Sequence, residues 1–172
     1  MESTIIDMTG DIPMLLRPGY VTKEEMEKVI GPVLVDPAIT NENIISHSVA
    51  LDKPKAPGMK YRHYAPKGDV TVVWGEEGDV IRAIQKKAGD ETGILCVEEH
   101  LPYYPKGCVI PCGSKRNPES IAHHLFDALR RFDTLNIGTI YAEDLGAYDI
   151  GTAIMNRLLK AAGGKYKKAD EI

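Results

Sequence analysis

The chain has 172 residues, 43% of them apolar and 27% charged, with a formal net charge of −4. That is enough for one cored domain plus an appendage, and no apolar run approaches the roughly 20 residues of a membrane-spanning helix. The N-terminus lacks a basic leader followed by an apolar stretch, and the three cysteines, Cys96, Cys108 and Cys112, are an odd set; both features point to a cytoplasmic protein with reduced thiols and away from an exported disulfide framework.

In chain order, Ser3 to Asp7 reads as a strand, Thr9 to Asp11 as a turn, and Met14 to Arg17 as a second strand running into Pro18 and Gly19. Thr22 and Glu25 form the pattern of a capping box, opening a short helix to about Ile30 that Gly31 and Pro32 stop. Two strands and one short helix cannot bury a core, so another segment is expected to cover them. Val33 to Asp52 reads as irregular, because Pro37, Asn41 and Asn43 break any period; Asp36 and Glu42 read as solvated there, and His47 has no recognisable partner.

From Lys53 to Lys67 the chain carries five cations and no carboxylate, so this ribbon is +5 and the rest of the chain −9. Pro57 and Pro66 bias Ala56 and Ala65 toward extended geometry, and Gly58 supplies a joint. Tyr61, Arg62, His63 and Tyr64 then place two aromatic rings, a guanidinium and an imidazole in four consecutive residues. Cations meet phosphates and tyrosines stack on bases, so the ribbon suits a nucleotide; a solvated basic linker packing its tyrosines on a neighbour is the alternative.

After Asp69 strands and helices alternate. Val70 to Trp74, Gly93 to Val97, Gly107 to Pro111 and Gly138 to Ala142 read as strands. Asp79 to Lys87, a segment opened by Asn117 and Pro118, and about Gly151 to Ala162 read as amphipathic helices. The order predicts a small Rossmann-like α/β domain with a parallel sheet, and Lys165 to Ile172 reads as a polar, frayed tail. Its first strand-to-helix turn is Gly75-Glu76-Glu77-Gly78, not G-x-G-x-x-G. At about 5 Å and an effective dielectric of about 20, each carboxylate there repels a phosphate charge by roughly 3 kcal/mol, so the usual dinucleotide site is closed to anions. Cys108, Cys112, His100 and His123 make a weak zinc set without a C-x-x-C pair, and no metal site is assigned. His123 and His124 read as structural, and the stretch from Tyr141 to Glu143 as strand-end packing.

Three stretches resemble the Sua5 family of threonylcarbamoyl-AMP synthases. Ala56 to Lys67 resembles its interdomain linker, S-P-G-M-[KR]-Y-x-H-Y-x-P, with Ala56 in place of Ser. Ser3 to Asp7 with Leu16-Arg17-Pro18-Gly19 resembles the end of its YrdC-like catalytic domain, and Ala153 to Leu158 resembles its A-[IVL]-M-N-R-L signature. The resemblance implies a truncated catalytic domain over 1–35, a linker and lid over 36–68, a Sua5 C-terminal Rossmann-like domain over 69–165 and a tail over 166–172. The larger part of the catalytic domain, with its K-x-R nucleotide motif, would precede Met1. It further implies that Ser3, with Thr4, lies at the threonine site. Arg17, Tyr61, Arg62, His63 and Tyr64 would bind the nucleotide, and Arg157 would tie the domain to the linker or the catalytic half. Without the family, Ser3 is an ordinary strand hydroxyl, and Arg17 and Arg157 are surface arginines. The implied reaction joins L-threonine, bicarbonate or CO2, and ATP with Mg2+ into threonylcarbamoyl-AMP, on the way to N6-threonylcarbamoyladenosine in tRNA. Net acidity argues against direct tRNA binding. The rival reading is a non-catalytic α/β module that docks on a separate catalytic subunit.

Overall fold

The structure is a computed structural model that describes residues 3–46, 65–146 and 151–172. His47 and the ribbon residues Tyr61, Arg62, His63 and Tyr64 lie outside the described residues. At the N-terminus, β1 (Ile5–Asp7), β2 (Met14–Arg17) and β3 (Leu34–Val35) form a sheet in that order, β1 antiparallel to β2 and β2 parallel to β3. Asp7 Oδ1 accepts from the Thr9 N–H at 2.9 Å and the Thr9 hydroxyl at 2.7 Å, which shapes the intervening turn. Between β2 and β3, α1 (Lys23–Ile30) starts at the expected capping box: Thr22 accepts from Glu25 N–H, and Glu25 accepts from Thr22 N–H. Gly31, at φ 80°, ends it.

The next stretch differs from its irregular reading. Asp36 is buried, and its side chain accepts from Ala38 N–H at 2.9 Å, capping a 3-10 turn over Pro37–Ile39. Then comes α2 (Asn41–Ser46). Pro37 breaks a long period, but its fixed φ suits the first position of a new turn, so the chain coils instead of wandering. Asp36 is accordingly a buried cap and not a solvated side chain.

The α/β domain contains β4 (Asp69–Trp74), α3 (Glu77–Lys87), β5 (Thr92–Cys96), β6 (Cys108–Pro111), α4 (Pro118–Thr134), β7 (Thr139–Glu143), α5 (Gly151–Ala161) and β8 (Tyr166–Lys168). Its five strands are parallel in the order β6-β5-β7-β4-β8. Strand alternation sorts the core. Val72, Leu95, Ile110 and Ile140 face α4 and α5, whereas Val73, Ile94 and Cys96 face Val80, Ile81 and Ile84 of α3. Helices on both faces explain why the strands are apolar almost throughout.

The expected frayed tail is instead an edge strand, with Val72, Val73 and Trp74 of β4 paired to Tyr166, Lys167 and Lys168. Tyr166 stacks on Trp74 with ring centroids 5.6 Å apart, and its hydroxyl donates to Asp144. Two exposed lysines hide so short a strand in the sequence, yet charge on an edge strand is what discourages further pairing.

The N-terminal sheet buries only Leu15, Leu16, Val33, Ala38 and Ile39 as its own cluster. It is joined to the α/β domain through α2, whose Ile44 and Ile45 pack on the larger core, and through Asn156, whose side-chain amide donates to the Ile39 carbonyl at 2.6 Å.

Gly93 in β5 has room for no side chain, since a Cβ there would sit 2.7 Å from Phe132 Cε1 and 2.9 Å from Ile137 Cγ2. Gly93→Ala should therefore cost about 1–3 kcal/mol in denaturant unfolding; an unchanged midpoint would show that the α4 face is looser than described.

Candidate functional site

The structure brings Ser3 and Arg17 together. Antiparallel pairing sets Ile5 opposite Arg17, and the guanidinium reaches two residues further along the approach to β1, Nε and Nη2 donating to the Ser3 carbonyl at 3.1 and 2.9 Å. A fork bound through two nitrogens is oriented and not merely nearby. Thr4 differs: its hydroxyl donates to the Val21 carbonyl at 2.7 Å, a bond that closes the loop leading into α1. From Arg17 the chain passes into Pro18 and Gly19, which with Thr22, Thr40 and Thr152 line a crevice of about 430 Å³ between the N-terminal sheet and the start of α5. Below α1, Glu27 accepts from Lys23 Nζ at 2.5 Å and Val33 N–H at 3.1 Å, and these bonds, led by that of Lys23, hold its carboxyl below the usual range.

The signature from Ala153 to Leu158 lies in α5, where all six side chains are buried. Arg157 is thus not an exposed helix arginine: its guanidinium lies 5.6 Å from the centroid of the Phe126 ring. Asn156, which the sequence reading passed over inside that signature, is the residue that bonds to Ile39.

The sequence reading also missed a buried polar network. Glu143 accepts from Val97 N–H at 3.2 Å and Tyr104 hydroxyl at 2.6 Å, and its Oε1 lies 2.8 Å from His100 Nδ1. Burial, reinforced by the Glu143 charge, raises the pKa of Tyr104 and of Cys96 and pushes Cys112 up to about 12. Both thiols are therefore held protonated and inert. Cys112 donates to the Cys96 carbonyl at 3.3 Å, and His123 is exposed on α4, so the zinc set of the sequence reading is spent on separate tasks. Among the described residues, no three of His, Cys, Asp and Glu converge on a metal position. The only sequence signal for the network was a glutamate closing an apolar strand, which has no period to betray it. None of the described helices is long and apolar enough to cross a membrane.

Comparison with known proteins adds to this geometry. The family described as threonylcarbamoyl-AMP synthase, C-terminal domain, matches residues 21–163. A threonylcarbamoyl-AMP synthase of Bacillus subtilis is 41% identical over 167 residues, covering 96% of this chain and 46% of that protein. One of Pyrococcus abyssi is 40% identical over 169 residues, covering 95% of this chain and 46% of its own length. Among solved structures, P. abyssi Sua5 complexed with L-threonine superposes with a TM-score of 0.81 at 39% identity, over 97% of this chain and 47% of that one. A P. abyssi Sua5 variant with a histidine and a tyrosine replaced by alanine gives 0.82 at 38% identity, over 97% and 46%. The chain spans about half the length of the curated relatives it matches.

Beside the network, Glu99 carries a pH signature. Desolvation works against its charge, but hydrogen bonds from the Ser114 hydroxyl at 2.6 Å and Lys115 N–H at 3.0 Å outweigh it and bring the pKa from 4.5 to about 2. A depressed carboxyl stabilises fully above the unfolded value, and that contribution is lost as pH falls through the folded one. Glu99→Gln should flatten the fall of the thermal midpoint between pH 4.5 and 2; parallel curves for variant and parent would contradict this.

Proposed function

This chain belongs to the threonylcarbamoyl-AMP synthase C-terminal-domain family, and from that premise we propose that it serves as the C-terminal share of an enzyme converting L-threonine, bicarbonate or CO2, and ATP into threonylcarbamoyl-AMP and pyrophosphate. The product would feed N6-threonylcarbamoyladenosine formation in tRNA, in the cytoplasm, and the described half would not complete the reaction alone. The observation that carries the reading is the likeness over 96% of the chain at 41% identity to a synthase of that name. The geometry is compatible with it: Ser3 and Arg17, distant in sequence, share one end of the N-terminal sheet. That sheet and its connections also hold eight of the twelve exposed large apolar residues among those described, from Met8 to Val35, a surface suited to cover by the rest of a synthase.

In this reading the carboxylated nitrogen of threonine provides an oxyanion that attacks the α-phosphate while pyrophosphate leaves. Ser3 helps to hold threonine, with Thr4 shaping the loop beside it, and Arg17 neutralises charge on the departing phosphates. Tyr61, Arg62, His63 and Tyr64 supply further cationic and aromatic contacts to the nucleotide and keep water from a readily hydrolysed mixed anhydride. Mg2+ enters as the counter-ion of ATP; the described residues offer no ligand set for it, and no step is assigned to it.

The test is pyrophosphate release by the whole synthase containing these residues. Arg17→Ala should lower kcat by about 10²- to 10³-fold, the usual cost of removing one transition-state charge contact, with circular dichroism unchanged. Wild-type turnover in that variant would remove Arg17 from the reaction. Micromolar ATP binding by the 172-residue chain alone would contradict the assignment of the main nucleotide site to the remainder of the enzyme.

A further inference from the structure

The carboxyl ends of β4, β5 and β7 open into a crevice of about 410 Å³, the position at which parallel α/β sheets receive ligands. It is separate from the Ser3 and Arg17 pair. Gly75 leaves β4 at φ 142° and leads to Glu77, the first residue of α3, so a carboxylate occupies the helix end where a Rossmann domain would seat pyrophosphate. A hydrogen bond from Lys115 holds the Glu77 carboxyl below its usual range, keeping it ionised and using the cation of the crevice. Asp144, at the end of β7, adds a second carboxylate, oriented by Gly146 N–H at 2.6 Å and the Tyr166 hydroxyl.

His100 also lines this crevice and is only 5% exposed. Its Nδ1 faces Glu143, which Val97 and Tyr104 hold in place, so the ring orientation is fixed by the buried network. Its Nε2 lies 3.3 Å from Glu77 Oε1 and has no hydrogen bond among the described residues. Glu77 is thus within ion-pair range but not aligned for a hydrogen bond, and a buried ring nitrogen so incompletely satisfied gains from a further partner. Ile45, Val80, Met155 and Leu159 make the remaining wall apolar.

The crevice thus offers acceptors and an apolar wall where related architectures offer donors to phosphate. We propose that it binds a small unphosphorylated molecule carrying a primary amine or a vicinal diol on an apolar body, with Glu77 and Asp144 as acceptors and His100 Nε2 beside Glu77. Phosphate is rejected for the reason that applies to the turn itself, namely two carboxylates within Coulomb range and a lysine already engaged.

Imidazole ¹H–¹⁵N correlation spectra of the 172-residue chain test this, with phenethylamine as the amine probe, uridine as the diol probe and uridine monophosphate as the phosphorylated control. Saturable movement of the His100 resonances is expected with at least one of the first two probes. Glu77→Gln should weaken that response about tenfold, with the thermal midpoint showing that the variant folds, and Asp144→Asn should do the same should Glu77→Gln not fold. A response to phenethylamine alone assigns an amine ligand, and one to uridine alone a diol; either supports the site. No saturable movement with either probe, an unchanged response in both variants, or uridine monophosphate binding as tightly as uridine overturns it.

Discussion

A buried side-chain amide reinforces the apolar seam between the two parts of this protein. Asn156, 2% exposed in the middle of α5, donates to the Ile39 carbonyl at the end of the turn that follows β3. A buried amide without that partner would carry a desolvation cost of about 1–3 kcal/mol, so the bond penalises separation of the parts more than it rewards contact. The N-terminal sheet needs such a tether. Its own cluster is five buried residues, α1 contributes no buried residue, and strands of two to four residues are marginal by themselves. The sheet borrows its order from α5.

That dependence positions a guanidinium on an otherwise apolar scaffold. Arg17 is aimed by β1 and β2, which rest on the turn that Asn156 holds, which in turn rests on a helix buried against a five-stranded parallel sheet. Where the chain is −9 outside its cationic ribbon, the exposed carboxylates of the first βα turn make the α/β domain inhospitable to phosphate. The carboxyl end of the sheet is then left to a chemistry other than phosphate binding.

Sequence patterning made the α/β domain legible because both faces of its sheet are covered: runs such as Val70 to Trp74 and the stripe of Ile121, Leu125, Leu129 and Phe132 have few other uses. The capping box at Thr22 was legible for a local reason, its two partners lying three residues apart. What escaped was set by tertiary contact. Tyr166 to Lys168 looks like a solvated tail until β4 lies beside it; Arg157 looks exposed until Phe126 and the N-terminal unit surround α5; Glu143 looks like a strand terminus until His100 and Tyr104 arrive from the loop after β5. Asp36 misled because an isolated carboxylate beside a proline reads equally as loop or cap. The nearness of Ser3 and Arg17 follows from hairpin pairing, whereas their roles came from family resemblance, since a hydroxyl and a guanidinium on adjacent strands carry no chemical signature of their own.

Native-state hydrogen exchange on Asn156→Ala measures the borrowed stability directly. The amides of Leu34 and Asp36, which donate to Pro13 and Leu15 across the N-terminal sheet, should lose protection by about tenfold or more, while the amides of β5 and β6 keep theirs. Uniform loss across both sheets, or full protection of Leu34 and Asp36 in the variant, would contradict the view that the Asn156 amide helps α5 hold the N-terminal unit in place.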